Sequence, residues 1–230
     1  SQREFLSAIF SKATPVLLLP MGAGKTSILL PMALKILSIL KFSKQQVTSG
    51  SFTTCDPLIV LPNQLIATQK KEIACAVSKL GVCVENIIFT RDMCSIANLK
   101  KIYQLVKEVS LSTNRALVLS EKTLQSLRIA QQEVLYHLLY GIKQDFRAFL
   151  EKRYPELAEE LTKEFYFDDA IVTGASNFNS SQKKLQHYLD TKDCKGSAIV
   201  VSVWSEYINR CLTKKVEYAL LTDINNKIAS

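Results

Sequence analysis

Leu17-Leu18-Leu19-Pro20-Met21-Gly22-Ala23-Gly24-Lys25-Thr26-Ser27 decides the fold. The apolar stretch Pro15 to Leu19 reads as a strand, the glycines as a turn, and Ser27 onward as a helix, which is the layout of a phosphate-binding loop. Gly22 and Gly24, with Ala23 between them, let the backbone curl until successive N–H groups point at phosphate oxygens. A helix beginning at Ser27 adds its partial positive charge at the same place. Lys25 is spaced to reach the β- and γ-phosphates, and the Thr26 hydroxyl to ligate Mg²⁺. Leu19 stands where the general loop pattern has a glycine.

Composition sets bounds around this loop. The chain has 230 residues, 47% of them hydrophobic, with only 7 Gly and 6 Pro, which suits one α/β domain, or one domain with an appendage, and argues against fibrous and disordered classes. Net charge is +8, compatible with nucleic-acid contact and equally with a basic surface that serves solubility. The six cysteines form no Cys-x-x-Cys pair and there are two histidines, so zinc is not expected and reduced cysteines in a cytoplasmic setting are. The longest apolar run, Ser27 to Leu40, is broken by Pro31 and Lys35 and is too short to span a bilayer. Ser1, with no initiator Met, suggests a fragment.

Elements follow in βα order. Ser1 to Lys12 has the period of an amphipathic helix, Thr26 to Phe42 is a helix with Pro31 in its early turns, and Ser43 to Asp56 reads as an exposed loop. Pro57 to Leu61 reads as a buried parallel strand, Leu65 to Leu80 as a helix stopped by Gly81, and Val82 to Thr90 as a strand. Ile96 to Val109 is helical and Ala116 to Leu119 a further buried strand. Right-handed crossovers then imply a mostly parallel sheet. Gln125 to Lys163 is helical in period and broken at Tyr154-Pro155, either an inserted hairpin or lid or simple packing on the sheet edge. Ala170 to Lys184 reads as a polar loop and Ser197 to Trp204 as a β-branched strand. Trp204 and Tyr207 suit core packing first and base stacking second, and His137 and His187 have no partner spaced for catalysis.

The loop, followed by Pro62-Asn63-Gln64-Leu65-Ile66-Ala67-Thr68-Gln69 at a strand end, resembles superfamily 2 helicases and translocases. Their second motif commonly reads Pro-Thr-Arg-x-Leu-Ala-x-Gln. Ser120-Glu121-Lys122-Thr123-Leu124 is similar to their Thr-Pro-Glu-x-Leu motif, without its proline. Met21 to Met32, Phe89-Thr90-Arg91-Asp92 and Ser120 to Leu127 together resemble a family of very large, poorly characterised proteins with a helicase-like ATPase core. The resemblance covers residues 1 to about 127. It implies a three-layer RecA-like P-loop NTPase lobe filling residues 1–230, with the helical insertion at about 125–163.

The resemblance also implies ATP and Mg²⁺ as cofactors and nucleic acid, RNA or DNA, as partner. Gln2 stands where these enzymes place an adenine-reading glutamine, though it also suits a solvated helix start. Asn63, Gln64 and Gln69, with Lys70 or Lys71, and Ser120, Thr123 and Gln125 fall at nucleic-acid backbone contacts. Phe165 to Asp169 is an apolar run ending in two carboxylates, of which Asp168 would hold Mg²⁺ through water and Asp169 orient the attacking water. Tyr218 to Asp223 is a competing run ending in an acid, and Ser202, Ser205 or Thr173-Gly174-Ala175-Ser176 could supply the motif that couples the two ligands. A full motor needs a second RecA-like lobe with an arginine finger. A nucleotide-binding scaffold with weak or no hydrolysis is the alternative, since Asp169 replaces the usual glutamate; a small-molecule kinase leaves Pro62 to Gln69 without a role.

Overall fold

A computed structural model describes residues 29–46, 58–164, 175–192 and 195–229. Three strands, β1 (Leu58–Leu61), β2 (Cys83–Ile87) and β3 (Arg115–Ser120), form one sheet in the order β1-β3-β2, parallel at both pairings. Leu61 lies beside Ser120, and Leu119 beside Ile87. Helices α1 (Leu30–Gln46), α2 (Ile66–Ser78), α3 (Ile96–Leu111) and α4 (Glu121–Tyr136) flank or follow the strands.

Topology explains the layers. The chain passes from β1 over β3 to β2, then steps back to β3. Right-handed crossovers in opposite directions put α2 and α3 on opposite faces of the sheet. The packing agrees. Ile73 and Val77 of α2 join Leu34 of α1, Ile59, Leu61, Ala116 and Val118 in one core. Leu117 and Leu119 point the other way, and α3 buries Leu99, Ile102, Val106 and Val109 at helical spacing against β2 and β3. The result is a small three-layer α/β arrangement, with β3 buried on both faces. β1 is less enclosed than its reading as a buried strand: Ile59 and Leu61 are buried, while Val60 on the other face is 40% exposed.

Local chemistry fixes the ends. Pro31 occupies the first described turn of α1. Helix α1 runs on to Gln46, past the expected loop start at Ser43. Gly81, at φ +73°, closes α2: the Val82 N–H donates to the Val77 carbonyl at 3.1 Å and the Gly81 N–H to that of Ser78 at 3.0 Å. That is a Schellman motif, with Val77 and Val82 in one core. The Lys35 ammonium of α1 donates to the Leu80 carbonyl at 2.7 Å, placing a cation at the negative end of α2.

The described chain divides into two compact units, residues 1–129 with 222–230, and 130–221. The second is all helical: α5 (Ile142–Arg153), α6 (Pro155–Glu164), α7 (Ala175–Thr191) and the part of α8 (Ser197–Ala229) up to Leu221, preceded by a π-turn at His137–Gly141. Ile142, Phe146 and Leu150 of α5 pack with Leu157 and Leu161 of α6, Leu185 and Leu189 of α7, and Trp204 and Ile208 of α8. The break at Tyr154-Pro155 stands as expected, since the residue before proline is pushed out of helical geometry (φ −143°, ψ 60°). Gly196, at φ +96°, turns the chain into α8, and a Cβ there would fall 2.5 Å from the Tyr154 hydroxyl.

Three expectations are corrected in this unit and its continuation. Ser197 to Trp204 is helix, not strand: Val200, Val201, Trp204, Ile208 and Cys211 are buried at helical spacing. Tyr218 to Asp223 belongs to the same helix, so Asp223, exposed on its surface, is not a strand-end acid. Ala175 to Lys184 is helix rather than loop. Among the described residues no helix is long and apolar enough to cross a membrane.

Candidate functional site

Parallel strands carry their carboxyl ends to one edge, where open α/β sheets place ligands. The register sets the segments after β1, β2 and β3 along that edge, with the starts of α2, α3 and α4 beside them. Their unpaired N–H groups give the edge partial positive charge.

After β1, the Leu65 N–H donates to the Pro62 carbonyl at 2.9 Å and closes a turn with Asn63 and Gln64 at its corners. Both side chains are exposed, so their amides face solvent. Gln69 and Lys70 are half-buried on α2, and Lys71 is exposed. The sequence assigns this segment to a nucleic-acid backbone contact, and the groups it presents are exposed amides and lysines rather than an arginine.

Ser120 and Thr123 are placed differently. Both are buried, at 3% and 5% exposure. The Ser120 Oγ accepts from the Thr123 N–H at 3.0 Å, and the two hydroxyls are bonded at 3.1 Å. Ser120 thus caps the start of α4, and its chemistry is spent on a helix end rather than offered to a phosphate. Ser120→Ala is expected to destabilise the protein by about 1–2 kcal/mol, read from the urea midpoint, because a buried N–H loses its acceptor. The exposed groups here are Glu121, Lys122 and Gln125, of which the sequence singles out only Gln125 as a contact.

After β2, Phe89 is buried and anchors the segment, and Arg91–Met93 forms a 3-10 turn. The Thr90 hydroxyl and the Asp92 N–H hydrogen bond to the Asp92 carboxylate and hold its pKa below the ordinary value. Ser95 then caps α3 by accepting from the Asn98 N–H at 3.4 Å. Phe89-Thr90-Arg91-Asp92 is therefore a shaped lead into a helix.

Gln2, Gly22, Ala23, Gly24, Lys25, Thr26, Ser27, Asp168 and Asp169 lie outside the described residues, as does Thr173-Gly174. Ser202 and Ser205 are on α8, where the Ser205 Oγ donates to the Val201 carbonyl at 2.8 Å. Trp204 is buried to 2% exposure in the second core, the packing use that its sequence context favours.

Charge divides unevenly. Of 29 basic and 21 acidic residues, 17 and 8 belong to the first unit and 12 and 13 to the second, so the excess of +9 sits with the sheet against −1 with the helices. Compared with known proteins, the chain matches no family model, no curated protein and no solved structure.

Proposed function

We propose that the first unit is the nucleotide-binding lobe of a superfamily 2-type motor that uses ATP and Mg²⁺ and acts on nucleic acid. The observation that carries this reading is positional. The segment Gly22-Ala23-Gly24-Lys25-Thr26 precedes α1 in the sequence, and α1 packs with α2 on one face of the described parallel sheet. In folds of this kind a phosphate-binding loop belongs ahead of such a helix, at the carboxyl ends of the strands.

In this reading the backbone of Gly22 to Ser27 and the Lys25 ammonium hold the triphosphate, and Gln2 reads the adenine. Thr26, and Asp168 through water, would hold Mg²⁺, which would supply charge neutralisation on the phosphates, and Asp169 would orient the attacking water. The exposed amides of Asn63 and Gln64 and the lysines of α2 meet the nucleic-acid backbone, and the charge of +9 on this unit favours that contact. A second RecA-like lobe, in the same or a partner chain, supplies the arginine finger. Asp169, shorter than the glutamate of the resembling family, favours a second reading in which the lobe binds ATP and hydrolyses it poorly.

Calorimetry of the chain against Mg-ATP tests this. Uptake is expected, and Lys25→Ala should weaken it roughly 10-fold to 150-fold, the worth of one charge-assisted phosphate contact. No uptake by the unaltered chain rejects the proposal.

A further inference from the structure

The helical unit carries a groove of about 680 Å³ that has no part in the nucleotide reading. One wall is a stripe of α8 that includes Glu206, Asn209, Arg210 and Lys214; His137 and Ile142 stand opposite. The stripe runs from Ser202 to Lys214, roughly 18 Å at 1.5 Å per residue. That length takes about five residues of extended chain.

The groove's cations are already committed. Arg210 donates to the Asp145 carboxylate at 3.0 Å and lies over the Tyr207 ring at 5.1 Å. Lys214 donates to the buried Glu217 carboxylate at 2.7 Å. The hydroxyls of Ser205 and Thr213 donate to the carbonyls of Val201 and Asn209, at 2.8 and 3.0 Å, and turn acceptor lone pairs outward. Among the described residues Glu206 is the lining carboxylate with no ion pair, and it is exposed.

Aromatic faces adjoin it. The His137 ring meets Tyr136 edge-on at 6.0 Å, and Tyr136 meets Tyr140 at 5.9 Å. Tyr136, Leu139 and Tyr140 are all more than half exposed, an apolar ridge beside the lining His137. A free carboxylate, acceptor hydroxyls and aromatic faces are the set that receives a cation. With Asp145 and Glu217 counted beside the lining Glu206, three carboxylates meet the two cations Arg210 and Lys214, so the groove offers a polyphosphate no surplus of positive charge.

We propose that this groove docks a short, extended, basic protein segment. An arginine or lysine of the segment pairs with Glu206, and its backbone bonds to Asn209 and the outward lone pairs.

The test is fluorescence anisotropy of the full chain with a labelled octapeptide of alternating arginine and leucine, at physiological salt. Glu206→Gln is expected to weaken binding about tenfold, the effect of losing one charge-assisted contact. An octapeptide with glutamate for arginine should not bind. Glu156→Gln, at an exposed acid of α6, should leave the affinity within twofold. Equal weakening by both substitutions, or none by Glu206→Gln at an unchanged thermal midpoint, overturns the proposal. So does labelled oligothymidylate whose affinity falls tenfold in His137→Ala while the arginine peptide is unaffected, because that assigns the groove to nucleic acid.

Discussion

Replacing Trp204 with alanine is expected to lower the unfolding free energy by about 3–5 kcal/mol, the range for deleting a large buried aromatic side chain. Trp204 is among the largest fully enclosed side chains and sits with Val200, Val201 and Ile208 in the helical core. The comparison that gives the result meaning is Ser202→Asp. Along a strand, residues 202 and 204 share a face, so a carboxylate at 202 would be buried at heavy cost. Along α8, Ser202 is exposed and the change should stay within about 0.5 kcal/mol. Urea denaturation of the two variants separates the alternatives, and a severe loss from Ser202→Asp would contradict the helix.

In the sheet unit a large loss is expected at Leu119. Leu119→Ala should cost about 2–5 kcal/mol. Its neighbour Val118 points to the opposite face and is as fully buried, so Val118→Ala should also cost about 1.5 kcal/mol or more. Both losses together mark a strand covered on two sides. In a sheet covered on one side, adjacent positions would differ sharply, one costly and one neutral. Denaturant midpoints for the pair therefore test the three-layer arrangement directly.

Much of this unit was legible in the chain. Runs of branched aliphatics at Pro57 to Leu61 and Ala116 to Leu119 became β1 and β3, and Gly81 stopped α2 through its positive φ. Tyr154-Pro155 broke the long helix because proline constrains the residue before it. Ser197 to Trp204 misled because Ile199, Val200, Val201 and Val203 have the composition of a strand. Its period emerges only when Ile208 and Cys211 are counted, beyond the window that composition fills. Ser120 misled in another way. A serine at a strand end suits a phosphate contact and a helix cap equally, and the choice depends on whether Thr123 turns inward. The groove on α8 has no motif at all, since Asp145 and Arg210 meet across 65 positions.

The short bond from Lys35 to Leu80 has a mechanical meaning. Helix α1 is bolted to the tail of its neighbour by an ammonium that cannot slide without abandoning a carbonyl. Two residues after that carbonyl, Val82 enters the hydrophobic layer, and Cys83 then hangs from Asn114 by a backbone bond of 2.8 Å. Any tug on the first helix from its amino end is thus passed, plate-like, to the far margin of the sheet, and the lever needs no hinge to deliver it.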